Sequence, residues 1–229
     1  MKPINSCLLA LFVSSGMDGC QQAPKGPPAA PPTWRTVFDG GSTAGWEMVG
    51  PGELKLENGE LVSYGGMGLL WYTKEKFGGC QIRVVYKVTG DHDNSGVFIR
   101  IPDPPKDPWE AVNRGYEAQI NYRDDDYHRT GCLYSLTRAQ AKPPPRIGEW
   151  STMIITLSGK RTIVEVDGDR VTDFTEGEPV PEKKQSYEPE RGPRPESGYI
   201  GLQNHNQDVH VHFKEVSVRA LEPAASSKG

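Results

Sequence analysis

The sequence predicts an all-β protein, a two-sheet jelly roll, on three observations. Apolar and polar residues alternate at period two in many short segments, the spacing at which a strand sends successive side chains to opposite faces. Two Xaa-Gly pairs, Asn58-Gly59 and Asp167-Gly168, stand between such segments, and this is the strongest short-range hairpin signal. Gly (26) and Pro (20) are abundant among 229 residues, and no long window shows helical periodicity. That balance suits short strands joined by turns. About a dozen strands without helices make a sandwich or barrel, and at this length a two-sheet jelly roll fits best.

The elements follow in chain order. Residues 1–20 read as a signal peptide: Lys2 supplies a positive start, and Cys7 to Ser15 is an apolar run too short to span a membrane. Gly19-Cys20 resembles a bacterial lipobox, in which Cys20 would be acylated, although Met17 and Asp18 depart from that pattern. Residues 21–33 form a Pro-rich tether. The protein is therefore expected to be exported and lipid-anchored to the bacterial cell envelope, in the periplasm or at the outer membrane. The lipid is its expected hold on the membrane, because no stretch of 18 apolar residues is present. The folded domain is expected over 34–221, with a tail at 222–229.

Within that domain, Asn58-Gly59 joins strands at 54–56 and 61–64, and Asp167-Gly168 joins 162–166 and 169–173. Further strands are predicted at 69–73, 80–89, 94–101, 115–121, 130–135, 150–158, 197–204 and 208–219. In the last, Val209, Val211 and Phe213 are apolar at odd positions and Val216 and Val218 at even ones. An extra residue near Lys214-Glu215 would flip the phase, as a bulge does. Segments 102–114 and 137–149 read as long Pro-containing loops, and the charged stretch 181–196 as an exposed, partly mobile insertion.

Net charge is -4 with scattered basic residues, which argues against a nucleic-acid partner, since such proteins carry a basic patch or stripe. Cys80 and Cys132, the cysteines beyond the leader, are either one disulfide of an exported protein or two buried thiols. His210 and His212 are a candidate metal pair or simply the wet side of a strand.

Three strands share an alternation that points to a site. Val97, Ile99 and Ile101 oppose Asn94 and Arg100; Tyr116, Ala118 and Ile120 oppose Glu117, Gln119 and Asn121; Ile200 and Leu202 oppose Gln203 and His205. If the three are neighbours, one sheet face carries a carboxylate, a guanidinium, amides and an imidazole. The alternative is an ordinary polar outer face.

Eight motifs occur in order: Phe38-Asp39-Gly40, Gly45-Trp46, Asn58-Gly59-Glu60-Leu61, Asn94-Ser95-Gly96-Val97-Phe98-Ile99-Arg100, Gly115-Tyr116-Glu117-Ala118-Gln119-Ile120, Thr130-Gly131-Cys132-Leu133-Tyr134, Gly148-Glu149-Trp150 and Ile200-Gly201-Leu202-Gln203-Asn204-His205. The set resembles the bacterial 3-keto-disaccharide hydrolase family, over about Trp34 to Arg219. The resemblance implies a concanavalin-like jelly roll, often exported, that cleaves 3-keto-glycosides as a 3-keto-glucoside 1,2-lyase or a 3-keto-2-hydroxyglucal hydratase. Ser151, Asn121 and Asn204 stand where the family usually has Asn, Asp and Asp.

The implied chemistry differs from ordinary glycoside hydrolysis, which flanks an oxocarbenium-like transition state with two carboxylates. A ketone at C3 acidifies the C2 proton, a base removes it, the glycosidic oxygen leaves C1 by β-elimination, and water adds back. The needs are a base, a donor at the C3 oxygen and an acid at the leaving oxygen. Glu117 is the expected base, with His205 the alternative. Arg100 is expected at the enolate oxygen or the hydroxyls; Asn94, Gln119 and Gln203 at hydroxyls; Tyr134 or Lys142 as acid; Trp109 stacked on a ring. His92 and His128 are expected to be passive, and Trp34, Trp46, Trp71 and Trp150 to be core. No cofactor is required, and a divalent metal at the ketone stays open. A non-catalytic, lectin-like carbohydrate-binding sandwich and a surface interaction protein are the competing readings, because fold does not settle function.

Overall fold

A computed structural model describes residues 32–222, apart from 124 and 209. The expected signal peptide with Cys20, most of the expected tether and most of the expected tail lie outside the described residues. Thirteen strands and one short helix make up the domain. The strands are β1 Arg35–Phe38, β2 Trp46–Val49, β3 Glu53–Glu57, β4 Glu60–Tyr64, β5 Gly68–Tyr72, β6 Cys80–Lys87, β7 Asn94–Ile101, β8 Tyr116–Asn121, β9 Ser151–Ser158, β10 Arg161–Val166, β11 Asp169–Thr175, β12 Tyr199–Asn204 and β13 His212–Ala220. The helix, α1, spans Pro108–Arg114.

The strands form two antiparallel sheets. The larger has eight strands in the order β11-β10-β9-β6-β13-β4-β3, with β1 also on β13; the smaller has five, β2-β5-β12-β7-β8. Both Xaa-Gly pairs close hairpins: Asn58 and Gly59 (φ 51° and 82°) join β3 to β4, and Asp167 and Gly168 (φ 50° and 93°) join β10 to β11. Two consecutive positive φ values define the turn whose twist matches the flanking strands. The register of β13 against β6 shifts between Phe213 and Glu215, the bulge that the alternation predicts.

The core lies between the sheets. Ile82, Val84, Tyr86, Met153, Ile155, Leu157, Phe213 and Val216 from the larger sheet face Leu70, Val97, Ile99, Ala118, Ile120, Ile200 and Leu202 from the smaller. At about 25 cal/mol per Å² of apolar surface removed from water, this double layer is the main stabilising term. Cys80 and Cys132 belong to it as separate buried thiols, raised to about 11 and about 12 by desolvation.

A second apolar cluster sits on the outer face of the smaller sheet. Leu69, Trp71, Phe98 and Ile101 are covered there by Ala111 and Val112 of α1. The helix corrects the loop expected over 102–114. It starts as the physics of helix ends requires: the Asp107 side chain accepts from the Trp109 and Glu110 amides, Pro108 fills the first turn, and Glu110 accepts from the Lys106 amide.

Two further expectations are corrected. Residues 130–135 are no regular strand: they cling to the edge of β8 through single bonds, Gln119 N–H to Cys132 O (3.0 Å), Gly131 N–H to Gln119 O (2.9 Å) and Tyr134 N–H to Glu117 O (2.9 Å). The charged stretch 181–196 is pinned. Arg191 donates to the carbonyls of Pro181, Pro189 and Ser135, and Arg194 to those of Gly115, Asn113, Gly192 and Glu190. Both guanidiniums donate to backbone acceptors that a loop otherwise leaves to water, and Arg191 also pairs with the Glu188 carboxylate (2.9 Å).

Candidate functional site

The site lies on the outer face of the smaller sheet, beside the patch covered by α1. Because Tyr116, Ala118 and Ile120 are taken by the core, strand periodicity turns Glu117 and Gln119 outward. Glu117 faces Phe98 of β7 and Gln119 faces Gly96. A side chain at Gly96 would collide with the Glu117 carboxylate, so the glycine is what lets that carboxylate lie across β7. Gln203 and His205 come from β12 and the residue just after its end.

A cavity of about 310 Å³ is lined by Met67, Trp109, Val112, Glu117, Gln119, Tyr134, Tyr187, Gln203 and His205. Glu117 is 7% exposed and sits at its floor. Burial is the main influence on this carboxyl and pushes it up to about 8; a hydrogen bond from Gln203 pulls the other way. Gln119, with its amide turned to satisfy its neighbours, also donates to Glu117 Oε1 (2.9 Å) and to the Ser95 carbonyl (2.8 Å). Gln203 Oε1 is buried without a hydrogen-bond partner among the described residues. The floor is thus a carboxylate held by two amides, with an acceptor left over.

The walls are apolar and aromatic. Trp109 and Tyr187 are 47% and 53% exposed, large aromatic surfaces left in water at the rim. Trp109 is carried by α1, and Tyr187 by the pinned stretch 181–196. Tyr134 stands beside Glu117 because its backbone is tied to the edge of β8.

Six of the expected site residues therefore meet: Glu117, Gln119, Gln203, His205, Tyr134 and Trp109. Asn94 lines a second cavity of about 340 Å³ with His92, Asn121, Arg123, Asn206 and His205. His205 is common to both. His92, expected to be passive, is part of that second wall.

Arg100 does not join them. Its φ is +55°, and the register of β7 against β12 shifts between Tyr199 and Gly201. The bulge reverses the alternation, so Ile101 moves to the outer cluster and Arg100 turns inward, 1% exposed. There it donates to Thr162 Oγ1 (3.2 Å) and to the carbonyls of Pro195 (2.8 Å), Gly159 (2.8 Å) and Arg161 (3.2 Å). It braces the sandwich instead of touching a ligand. Lys142 is also elsewhere, in an ion pair of 2.6 Å with Asp126, and lines neither cavity. His210 and His212 are occupied separately, against the Ser63 carbonyl (2.9 Å) and Glu60 (2.8 Å). Among the described residues no group of three or more His, Cys, Asp or Glu is placed to hold a metal ion. Trp46 and Trp71 are core, but Trp34 lies between the Arg83 and Arg219 guanidiniums (4.5 and 4.6 Å) and Trp150 between the Lys87 and Lys214 ammoniums (4.4 and 4.5 Å).

Sequence reasoning missed Tyr187, Met67 and Val112. The charged context hid Tyr187, but a lone aromatic in such a stretch was itself a signal.

The two antiparallel sheets, packed face to face, make a concanavalin-like jelly roll, with a buried carboxylate, amides and an imidazole under an aromatic rim on one outer face. The chain belongs to the 3-keto-alpha-glucoside-1,2-lyase-like domain family, whose model matches residues 33–219. No curated protein matches the sequence. Among solved structures, a candidate glycosyl hydrolase from Parabacteroides distasonis is similar at 22% identity and TM-score 0.64, covering 82% of this chain and 94% of that one. The carbohydrate-binding module CBM66 from Bacillus subtilis is similar at 14% identity and TM-score 0.54, covering 77% and 96%. The exoplasmic/lumenal domain of VIP36, solved with Ca2+ and Man3GlcNAc, is similar at 13% identity and TM-score 0.56, covering 84% and 90%. These likenesses bear on the fold.

Proposed function

We propose that the protein is an exported enzyme that cleaves 3-keto-glycosides by elimination and hydration. The observation that carries this reading is Glu117, a buried carboxylate at the cavity floor whose proton affinity is raised by desolvation. A general base works best when its pKa lies near the operating pH. An exposed glutamate, near about 4.3, would be too weak for carbon acids.

In the proposed reaction Glu117 takes the C2 proton of the keto-sugar. The C2–H electron pair delocalises onto the C3 oxygen, then forms the C1=C2 bond as C1–O breaks. Tyr134, beside Glu117, offers its hydroxyl to the C3 oxygen, the role that Arg100 leaves open. The Gln203 amide at the cavity floor meets a sugar hydroxyl, and Trp109 and Tyr187 supply ring faces. Water adds to the enone, restoring a keto-sugar.

Glu117→Gln tests the assignment. The amide keeps the shape, and kcat/KM on a 3-keto-glucoside should fall by about 100-fold or more, with the circular dichroism spectrum unchanged. A fully active variant would move the base elsewhere. A lectin-like reading draws on the fold shared with CBM66 and VIP36. It leaves the buried carboxylate without a role, since a binding platform needs no base.

A further inference from the structure

His205 is the one residue that lines both cavities. The two linings differ in chemistry. The first has Glu117 at its floor and walls of Met67, Val112, Trp109 and Tyr187, which suit the apolar faces of one sugar ring. The second is walled by amides, a guanidinium and an imidazole: Asn94, Asn121, Asn206, Arg123 and His92.

In the elimination the C2 proton and the leaving group are on adjacent carbons. With C2 over Glu117, the leaving oxygen is on the adjacent carbon, and a leaving group directed toward the second chamber passes the one residue common to both linings, His205. We infer that His205 is the acid that protonates the departing glycosidic oxygen, and that the second chamber is the subsite for the leaving alcohol. The inference rests on the elimination reading. It replaces Lys142 as the acid and leaves Tyr134 for the ketone.

The proton and electron balance closes. The C2–H bond breaks and its proton goes to Glu117. The C1–O bond breaks and its electron pair stays on the leaving oxygen. That oxygen takes the ring proton of protonated His205, so an enone and a neutral alcohol leave together. No oxidant, reductant or further reactant is needed.

The second chamber also names the class of alcohol. Its amides, Asn94 among them, offer the paired donors and acceptors that hydroxyls take. Arg123, the fixed cation of this chamber, already faces Asp91, its Nε 3.7 Å from that carboxylate, and His92 Nδ1 lies 3.6 Å from the same group. That charge balance favours a neutral, hydroxyl-rich leaving group, such as a second sugar, over an anionic one.

A leaving-group series tests both parts. Three 3-keto-glucosides are used: a disaccharide, the methyl glycoside and the p-nitrophenyl glycoside, whose phenolate departs without a proton. His205→Asn should lower kcat/KM on the methyl glycoside by about 100-fold, and at least about tenfold less on the p-nitrophenyl glycoside. Asn94→Ala should raise KM for the disaccharide by about fivefold or more, since one lost hydrogen bond is worth about 1 kcal/mol, and should raise it less for the methyl glycoside. Equal losses of His205→Asn across the series would refute the acid role. Equal shifts of Asn94→Ala for disaccharide and methyl glycoside would refute the subsite. If the wild-type protein turns over none of the three, the elimination reading itself has failed. If it turns them over and Glu117→Gln is inactive, a flat His205 series condemns this inference alone.

Discussion

Glu117 shows how one residue can carry both a cost and a capacity. Its carboxyl is pushed up to about 8 by burial, against about 4.3 in an unfolded chain. Between those pH values the unfolded chain has released a proton that the folded chain keeps. Stability therefore falls as pH rises across that window. The penalty is full above pH 8, where it is on the order of a few kcal/mol. Glu117→Gln removes it. Urea melts at pH 5 and pH 8 should show the variant gaining stability relative to wild type as pH rises. Parallel pH profiles would mean that the carboxyl is not desolvated. Glu117 was legible because the neighbours at 116, 118 and 120 are apolar and fix its phase. Arg100 was misassigned for the converse reason. Val97-Phe98-Ile99 is apolar on both faces, so a period-two reading has nothing to register a bulge, and a non-glycine residue at positive φ leaves no mark in composition.

At the scale of elements, the hairpins were readable because Asn-Gly and Asp-Gly act locally, through two φ angles. The helix α1 was within reach as well: Asp107-Pro108 followed by Glu110 is a helix-start pattern, but the prolines around it favoured a loop. The stretch 181–196 was out of reach, because its order comes from two guanidiniums bonding carbonyls distant in sequence. Arg100 does the same for β7, tying it to the β9–β10 turn and to Pro195. Arg100→Met strands several buried acceptors. It should cost on the order of 3 kcal/mol of unfolding free energy, while the folded fraction keeps its kcat/KM. A stable but inactive variant would return Arg100 to the site.

At the scale of the molecule, one sheet face is packed for stability and the opposite face of the same sheet is shaped for chemistry. The family and the fold could be read from ordered motifs spread over the domain, whereas the division of the site into two chambers depends on packing that no local pattern encodes. The proposed export and anchoring rest on residues 1–20, outside the described residues. Lipidation at Cys20 predicts that Cys20→Ser moves the protein from the membrane to the soluble fraction of a bacterial host. Membrane association that survives the change would rule the anchor out.

In the proposed reaction it is the C3 ketone that makes the chemistry possible. The most direct measurement sets a 3-keto-glucoside beside the same glucoside without the ketone, following enone absorbance and released alcohol. Turnover of the first is expected, slowed by deuterium at C2 where proton removal limits the rate, and none of the second, because without the ketone its C2 proton is out of reach of a carboxylate. Comparable turnover of the two would contradict it.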